Sequence, residues 1–216
     1  MKIYAISGLG ADERVFKYLS LEHELVPIIW IAPKSKESIV EYANRLINEY
    51  EIDQDENFGI LGVSFGGLIT VEISKLLSPE VSVLISSAET RDDLSGVIKI
   101  AGKSKLIELI PERLFNPPKA IAHFLFGTDK KELLNSILDD TDLNFAKWAT
   151  RELINWQNQI RLPNLIKIGG SKDKLLAPKG KNTIIVEGGE HFMIVDRADE
   201  ISEIINEKIK QATTQK

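Results

Sequence analysis

The sequence predicts a three-layer α/β domain: a mostly parallel sheet of about six strands, interrupted by a helical insertion. Three observations carry this prediction. Short apolar runs alternate with helical periodicity through residues 1–88. The pattern becomes helix after helix over residues 89–159. Strand character then returns, before a last amphipathic helix, in residues 160–216. Strands separated by helices of this length build parallel βαβ units with right-handed crossovers.

The elements follow in order. Lys2–Ile6 reads as a strand, followed by a glycine-containing turn and a helix from about Ala11. Leu25–Ile31 is the next strand. Ser38–Tyr50 places Ile39, Ala43, Leu46, Ile47 and Tyr50 on one helical face. Ser38 and Glu41 have the spacing of a capping box at its start. Phe58–Val63 is a strand, Gly66–Leu77 a helix ended near Pro79, and Val81–Ser86 a strand. The strands are nearly continuous apolar runs, as expected when helices cover both faces of a sheet. The insertion holds helices at Val97–Ile110, Lys119–Phe126, Lys130–Leu138 and Asn144–Gln157. Pro111, Pro117–Pro118 and Gly127 punctuate them. Leu165–Ile168 and Thr183–Val186 are strands, Ala198–Ile209 is the last helix, and Gln211–Lys216 is a polar tail.

The 216 residues suit one domain with a modest insertion. Hydrophobic residues make up 43% and charged residues 27%, enough apolar surface for a sizeable core. A net charge of -5 without a basic stripe argues against nucleic acid as a partner. The chain has no cysteine, which excludes disulfides, thiol nucleophiles and thiolate metal sites. Nothing approaches the roughly 20 apolar residues that span a bilayer. The apolar run Ile3–Ile6 is too short for a signal-peptide core. A soluble, cytoplasmic chain is expected, monomeric or homodimeric, with no membrane partner.

One motif carries chemistry. Gly62-Val63-Ser64-Phe65-Gly66 is a G-x-S-x-G, a pattern this composition produces by chance on the order of 0.06 times. It follows an apolar strand and opens a helix, the setting of a nucleophile elbow. Side chains two positions before and after the serine would collide with the neighbouring strand and helix, so both positions must be glycine. The helix start also aims free N–H groups and its positive dipole end at the reacting oxygen. A tight turn that merely happens to contain a serine lacks this context.

A serine nucleophile needs a base. His23 precedes a strand, at the wrong edge of the sheet, and reads as a surface residue. His123 lies in the insertion among Ile121, Phe124 and Leu125 and reads as a half-buried helix residue or a pocket-lining group. His191 stands between the last strand and last helix, on a loop at the serine's edge. The acid belongs between serine and histidine in the chain. Asp173 lies on the loop after Leu165–Ile168, at that same edge. There it would fix the imidazole tautomer and stabilise the imidazolium. Glu89, Asp92 and Asp93, after Val81–Ser86, compete but read as charges at a helix start. The Phe65 backbone N–H follows the nucleophile and is one donor to a developing oxyanion. Leu9, in Ser7-Gly8-Leu9-Gly10, supplies the other. That loop completes no G-x-G-x-x-G, because Arg14 and Val15 stand where the third glycine would fall.

In this order, the glycine-containing loop, G-x-S-x-G, G-x-x-D and G-x-x-H resemble the α/β-hydrolase superfamily in a compact form, from Lys2 to Lys210. The resemblance implies the α/β-hydrolase fold, a catalytic triad of Ser64, Asp173 and His191, and a helical cap at residues 89–159 on a core of residues 1–88 and 160–216. It departs from many relatives in having Ser7-Gly8 where they carry His-Gly, and in starting at the third strand of the family sheet. The expected activity is hydrolysis of a small, largely apolar carboxylic ester or thioester through an acyl-enzyme. A C–C hydrolase or lyase using the same triad, or a silent binding protein on the same fold, are the alternatives. Dehalogenase and epoxide hydrolase chemistry is disfavoured, because relatives doing it carry Asp at the elbow. Phe65, Phe124, Trp148 and Phe192 are expected to contact substrate. Leu106, Ile110, Leu114, Phe115, Phe126, Phe145 and Trp156 are expected to divide between the cap's own core and the pocket. No metal or cofactor is implied; Asp139, Asp140 and Asp142 read as solvated helix-end charges.

Overall fold

A computed structural model describes residues 1–52, 57–96, 115 and 117–214. The expected helix Val97–Ile110, Pro111 and the cap residues Leu106, Ile110 and Leu114 lie outside the described residues.

Six strands form one parallel sheet: β1 (Lys2–Ile6), β2 (Glu24–Ile28), β3 (Phe58–Val63), β4 (Val81–Ile85), β5 (Leu165–Gly170) and β6 (Thr183–Val186). Their order is β2-β1-β3-β4-β5-β6. The chain therefore reverses direction across the sheet between β1 and β3. In open α/β sheets the crevice outside the strand C-termini at such a switch point is where ligands bind.

The apolar runs divide by parity, because successive strand side chains point to opposite faces. Ile3, Ala5, Leu61, Val63, Val83 and Ile85 enter one core; Tyr4, Ile6, Phe58, Ile60 and Leu84 enter the other. The second core is closed by α1 (Ile39–Glu49) and α2 (Phe65–Leu77). The first is closed by the 3-10 helix Glu13–Tyr18, α6 (Met193–Asp196) and α7 (Ala198–Thr214). Between β4 and β5 lie α3 (Lys119–Phe126), α4 (Lys131–Asp139) and α5 (Leu143–Asn155).

The capping box of α1 forms: Ser38 Oγ accepts from the Glu41 N–H and Glu41 accepts from the Ser38 N–H. Several elements differ from expectation by a residue or two, and four departures are larger. The helix from Ala11 is a 3-10 helix, started by Asp12 accepting from the Arg14 N–H at 3.0 Å. β2 stops at Ile28, because the N–H groups of Ile29 and Ile31 donate to the hydroxyls of Tyr50 and Tyr42 at 2.8 and 3.1 Å. A short helix, α6, intervenes before α7. α7 runs into the expected polar tail, where Gln211 pairs with Glu207 and Lys208. Polar pairs three and four residues apart sustain a helix without an apolar face.

The residues after β4 are tied to β5 by a buried ion pair, Lys167 Nζ to Asp93 Oδ2 at 2.7 Å, each side chain 8% exposed. Burial pushes the Asp93 carboxyl up, but Lys167 and the N–H groups of Thr90 and Glu89 outweigh it and hold it below its ordinary 3.8. Removing one partner of such a pair costs about 3–5 kcal/mol, so Lys167→Met should lower the urea midpoint sharply. The sign with pH follows from the lowered value. The pair stabilises the fold above about pH 4 and loses that contribution as Asp93 protonates. The deficit of Lys167→Met against wild type should therefore shrink on acidification. A deficit constant from pH 7 to pH 3 would contradict this account.

Candidate active site

Ser64 occupies the position just before α2 with φ 51° and ψ -120°, a backbone region costly for any residue but glycine. The surrounding packing imposes it. A Cβ on Gly62 would lie 2.3 Å from Thr70 Oγ1 and 2.6 Å from the Gly66 carbonyl oxygen. One on Gly66 would lie 2.1 Å from the Ser7 carbonyl oxygen, and one on Gly67 2.1 Å from Ser87 Oγ. The three glycines thus let α2 start directly against β1, β3 and the end of β4. Ser64 N–H meanwhile donates to the Ile85 carbonyl at 3.0 Å, continuing the ladder to β4.

His191 Nε2 lies 2.9 Å from Ser64 Oγ, within proton-transfer reach. Its Nδ1 lies 3.0 and 2.9 Å from the two oxygens of Asp173. Asp173 Oδ1 also accepts from the N–H groups of Leu175 and Leu176, at 2.9 and 2.8 Å. Burial raises the Asp173 carboxyl, but the hydrogen bond from His191, its charge and these two N–H groups prevail and hold it below 3.8. A carboxylate kept ionised there fixes the proton of His191 on Nδ1 and leaves Nε2 to accept. Phe126 stands edge-on over the imidazole, with centroids 5.5 Å apart, and its carbonyl accepts from the Phe192 N–H at 3.0 Å.

The other histidines and acids are engaged elsewhere. His23 Nδ1 lies 3.5 Å from the amino group of Met1, at the N-terminal ends of β1 and β2. His123 Nε2 lies 2.8 Å from Asn135 Oδ1, joining α3 to α4. Glu89 accepts from Arg161 and the Leu162 N–H, and Asp93 from Lys167. Asp139 pairs with Lys119, Asp140 pairs with Arg14, and Asp142 caps α5.

The turn after β1 reaches Ser64. A Cβ on Gly8 would lie 3.2 Å from Ser64 Cβ. The Gly8 carbonyl accepts from the Ala11 N–H at 3.0 Å, so Leu9 and Gly10 are the central residues of a β-turn. Gly10, at φ 72°, takes the position that demands a positive φ. Phe65 is the first residue of α2, and the first N–H groups of a helix have no acceptor within it. The Phe65 ring is buried against Trp30, Phe145 and Trp148. Trp148 is buried too and donates from Nε1 to the Glu37 carbonyl at 2.8 Å. Phe192 is packed in the core on Phe126. Phe124 is 66% exposed, with Lys174 Nζ 5.1 Å from its ring centre. Sequence reasoning missed Ser87, whose hydroxyl donates to the Ser64 carbonyl at 2.6 Å. Its only sequence signal is a small polar residue just beyond a strand.

No family model matches the chain, and no curated protein matches it in sequence. Solved structures do match. A type II thioesterase, YbtT, of the yersiniabactin NRPS/PKS biosynthetic pathway superposes with a TM-score of 0.67 at 15% identity, over 98% of this chain and 93% of that one. A structure from work on carboxylesterases of the thaumarchaeon Nitrososphaera gargenis gives 0.68 at 13% identity, over 100% and 92%. This chain has the α/β-hydrolase fold. A hydrolase from Oleispira antarctica shares it, with a TM-score of 0.67 at 15% identity over 97% and 90% of the two chains. In the α/β-hydrolase frame, Ser64, Asp173 and His191 follow β3, β5 and β6 at one sheet edge. No described helix is long and apolar enough to cross a membrane.

The packing around the elbow makes a direct prediction. Gly66→Ala should destabilise the fold by about 1–3 kcal/mol or more, because its Cβ would meet main-chain atoms that cannot yield. Gly96→Ala, where a Cβ meets nothing within 4 Å, should leave the denaturation midpoint in place. Equal midpoints for the two variants would refute the packing argument.

Proposed function

We propose that the chain is a serine hydrolase of small, largely apolar carboxylic esters or thioesters, working through an acyl-enzyme. The observation that carries this reading is the unbroken chain of hydrogen bonds from Ser64 through His191 to Asp173. Ser64 Oγ attacks the carbonyl carbon while His191 Nε2 takes its proton. Asp173 stabilises the imidazolium and stays ionised. The Phe65 and Leu9 N–H groups receive the oxyanion. The tetrahedral intermediate collapses as His191 returns the proton to the leaving alcohol or thiol. A water then repeats the cycle, with His191 as its base, and releases the acid. The helices between β4 and β5 act as a cap over this site, with Phe126 against the imidazole, and an apolar cover of that kind favours acyl or aromatic substrates over sugars. The named activities of the structural neighbours, thioesterase and carboxylesterase, span both leaving-group classes.

A fluorophosphonate probe followed by intact mass tests the nucleophile: wild type should gain one adduct and Ser64→Ala none. Absence of an adduct on the folded wild type, with a probe small enough to pass the cap, would overturn the mechanism in favour of a binding role. On p-nitrophenyl esters of short to medium chain length, Asp173→Asn should lower kcat on the order of 10³–10⁴-fold. It should leave KM nearly unchanged, because it disturbs the tautomer and not the pocket. Comparing these esters with acyl-thioesters of equal chain length separates the two leaving-group classes.

A further inference from the structure

The end of β4 carries an outlier that the triad does not use. Ser86 has φ 47°, although it is neither glycine nor exposed; it is 1% accessible and its hydroxyl has no hydrogen-bond partner among the described residues. A buried residue held in this region, with its own side chain unsatisfied, points to a use of the backbone there. Its N–H still donates to the Ile168 carbonyl at 3.0 Å, so the ladder to β5 continues through it. What the turn achieves is the placement of the next residue: Ser87 Oγ donates to the Ser64 carbonyl at 2.6 Å. Gly67 leaves the space this requires, since a Cβ there would fall 2.1 Å from Ser87 Oγ. The Gly67 N–H donates to the same carbonyl at 3.0 Å.

The Ser64 carbonyl shares a peptide unit with the Phe65 N–H. No peptide bond in the described chain is cis. In a planar trans unit the C=O and N–H vectors are opposed, so fixing one fixes the other. We propose that Ser87 is a positioning residue for the oxyanion hole: by holding the Ser64 carbonyl, it aims the Phe65 N–H at the oxygen of the reacting carbonyl group. Hydrogen bonding to the carbonyl also polarises the unit and strengthens that N–H as a donor. This inference rests on the serine hydrolase reading and adds to it a residue outside the triad.

An oxyanion donor acts on charge that develops only in the transition state, so its misdirection lowers kcat and spares KM. Losing one donor outright costs about 10²–10³ in kcat. Ser87→Ala, which loosens the donor without removing it, should cost about 10-fold. The decisive readout is a trifluoromethyl ketone, which forms an oxyanionic adduct on an active serine. Its inhibition constant should rise by the same factor by which kcat falls, while KM for a p-nitrophenyl ester stays constant. A residue with a merely structural role would not couple those two numbers. Unchanged kcat and inhibition constant in Ser87→Ala would overturn the proposal, and so would a loss carried by KM. Fluorophosphonate labelling of wild type, run alongside, keeps the cases apart: an adduct on wild type with no defect in Ser87→Ala removes the role of Ser87 and leaves the hydrolase standing. No adduct on wild type removes both.

Discussion

The site depends on one backbone conformation, the left-handed turn at Ser64 between β3 and α2. Such a turn is unfavourable by about 1–3 kcal/mol and persists only where its surroundings over-determine it. β3 is central in the sheet, paired with β1 and β4, and α2 is buried along most of its length. Between them no relaxed path exists, because Gly62 and Gly66 are already at closest approach to α2 and to the end of β1. The same closeness sets the serine hydroxyl above the strand ends and leaves the first N–H groups of α2 without acceptors inside the helix. Strain, glycine placement and the start of a helix dipole are thus one constraint seen from three sides.

Ser64 meets His191, whose loop enters from the far end of the chain, and that half of the site is rigid for a different reason. The loops after β5 and β6 are stitched together through their main chains. The Ser171 N–H donates to the Val186 carbonyl, the Lys172 N–H to the Gly189 carbonyl, and the Gly188 N–H to Ser171 Oγ. Gly170 and Gly189 are in such close approach that a Cβ on Gly170 would stand 2.2 Å from the Gly189 carbonyl oxygen. Asp173 and His191 therefore stand on one preorganised unit. The ion pair of Lys174 with Glu190 joins the residues beside Asp173 and His191 as well. Being half-buried, it adds little to what the backbone already secures.

How much of this was legible in the sequence follows from the range of the interactions. The parity of the strands, the capping box of α1 and the extents of β3, β6 and α3 depend on neighbours within a few residues, and periodicity reads them directly. The elbow is legible because steric demand within five residues leaves glycine no substitute. The end of β2 is not, since Tyr42 and Tyr50 capture the N–H groups of Ile31 and Ile29 from 11 and 21 residues away. Ser87 is invisible for the same reason: its partner is 23 residues distant, at the tip of the adjacent strand.

The aromatic residues between β4 and β5 show the limit most clearly. In sequence, Phe124, Phe145, Trp148 and Trp156 are alike, apolar rings at helical spacing. In the fold they separate. Trp148 and Arg151 both donate to the Glu37 carbonyl, and Glu152 accepts from the Ile39 N–H, so α5 is bonded to the start of α1. Trp156 donates to Glu72 of α2 at 2.8 Å. Phe145 lies with its centroid 4.7 Å from that of Trp30. These three rings belong to the core that supports α2, while Phe124, on α3, faces solvent. Ring burial costs a polar edge its water unless a partner waits, and which partner waits is decided by residues on other elements. The rings of α5 are thereby part of the scaffold that holds Phe65, and through it the first turn of α2, in place. A helix that the sequence offers as a cover for the site is in the structure one of its foundations.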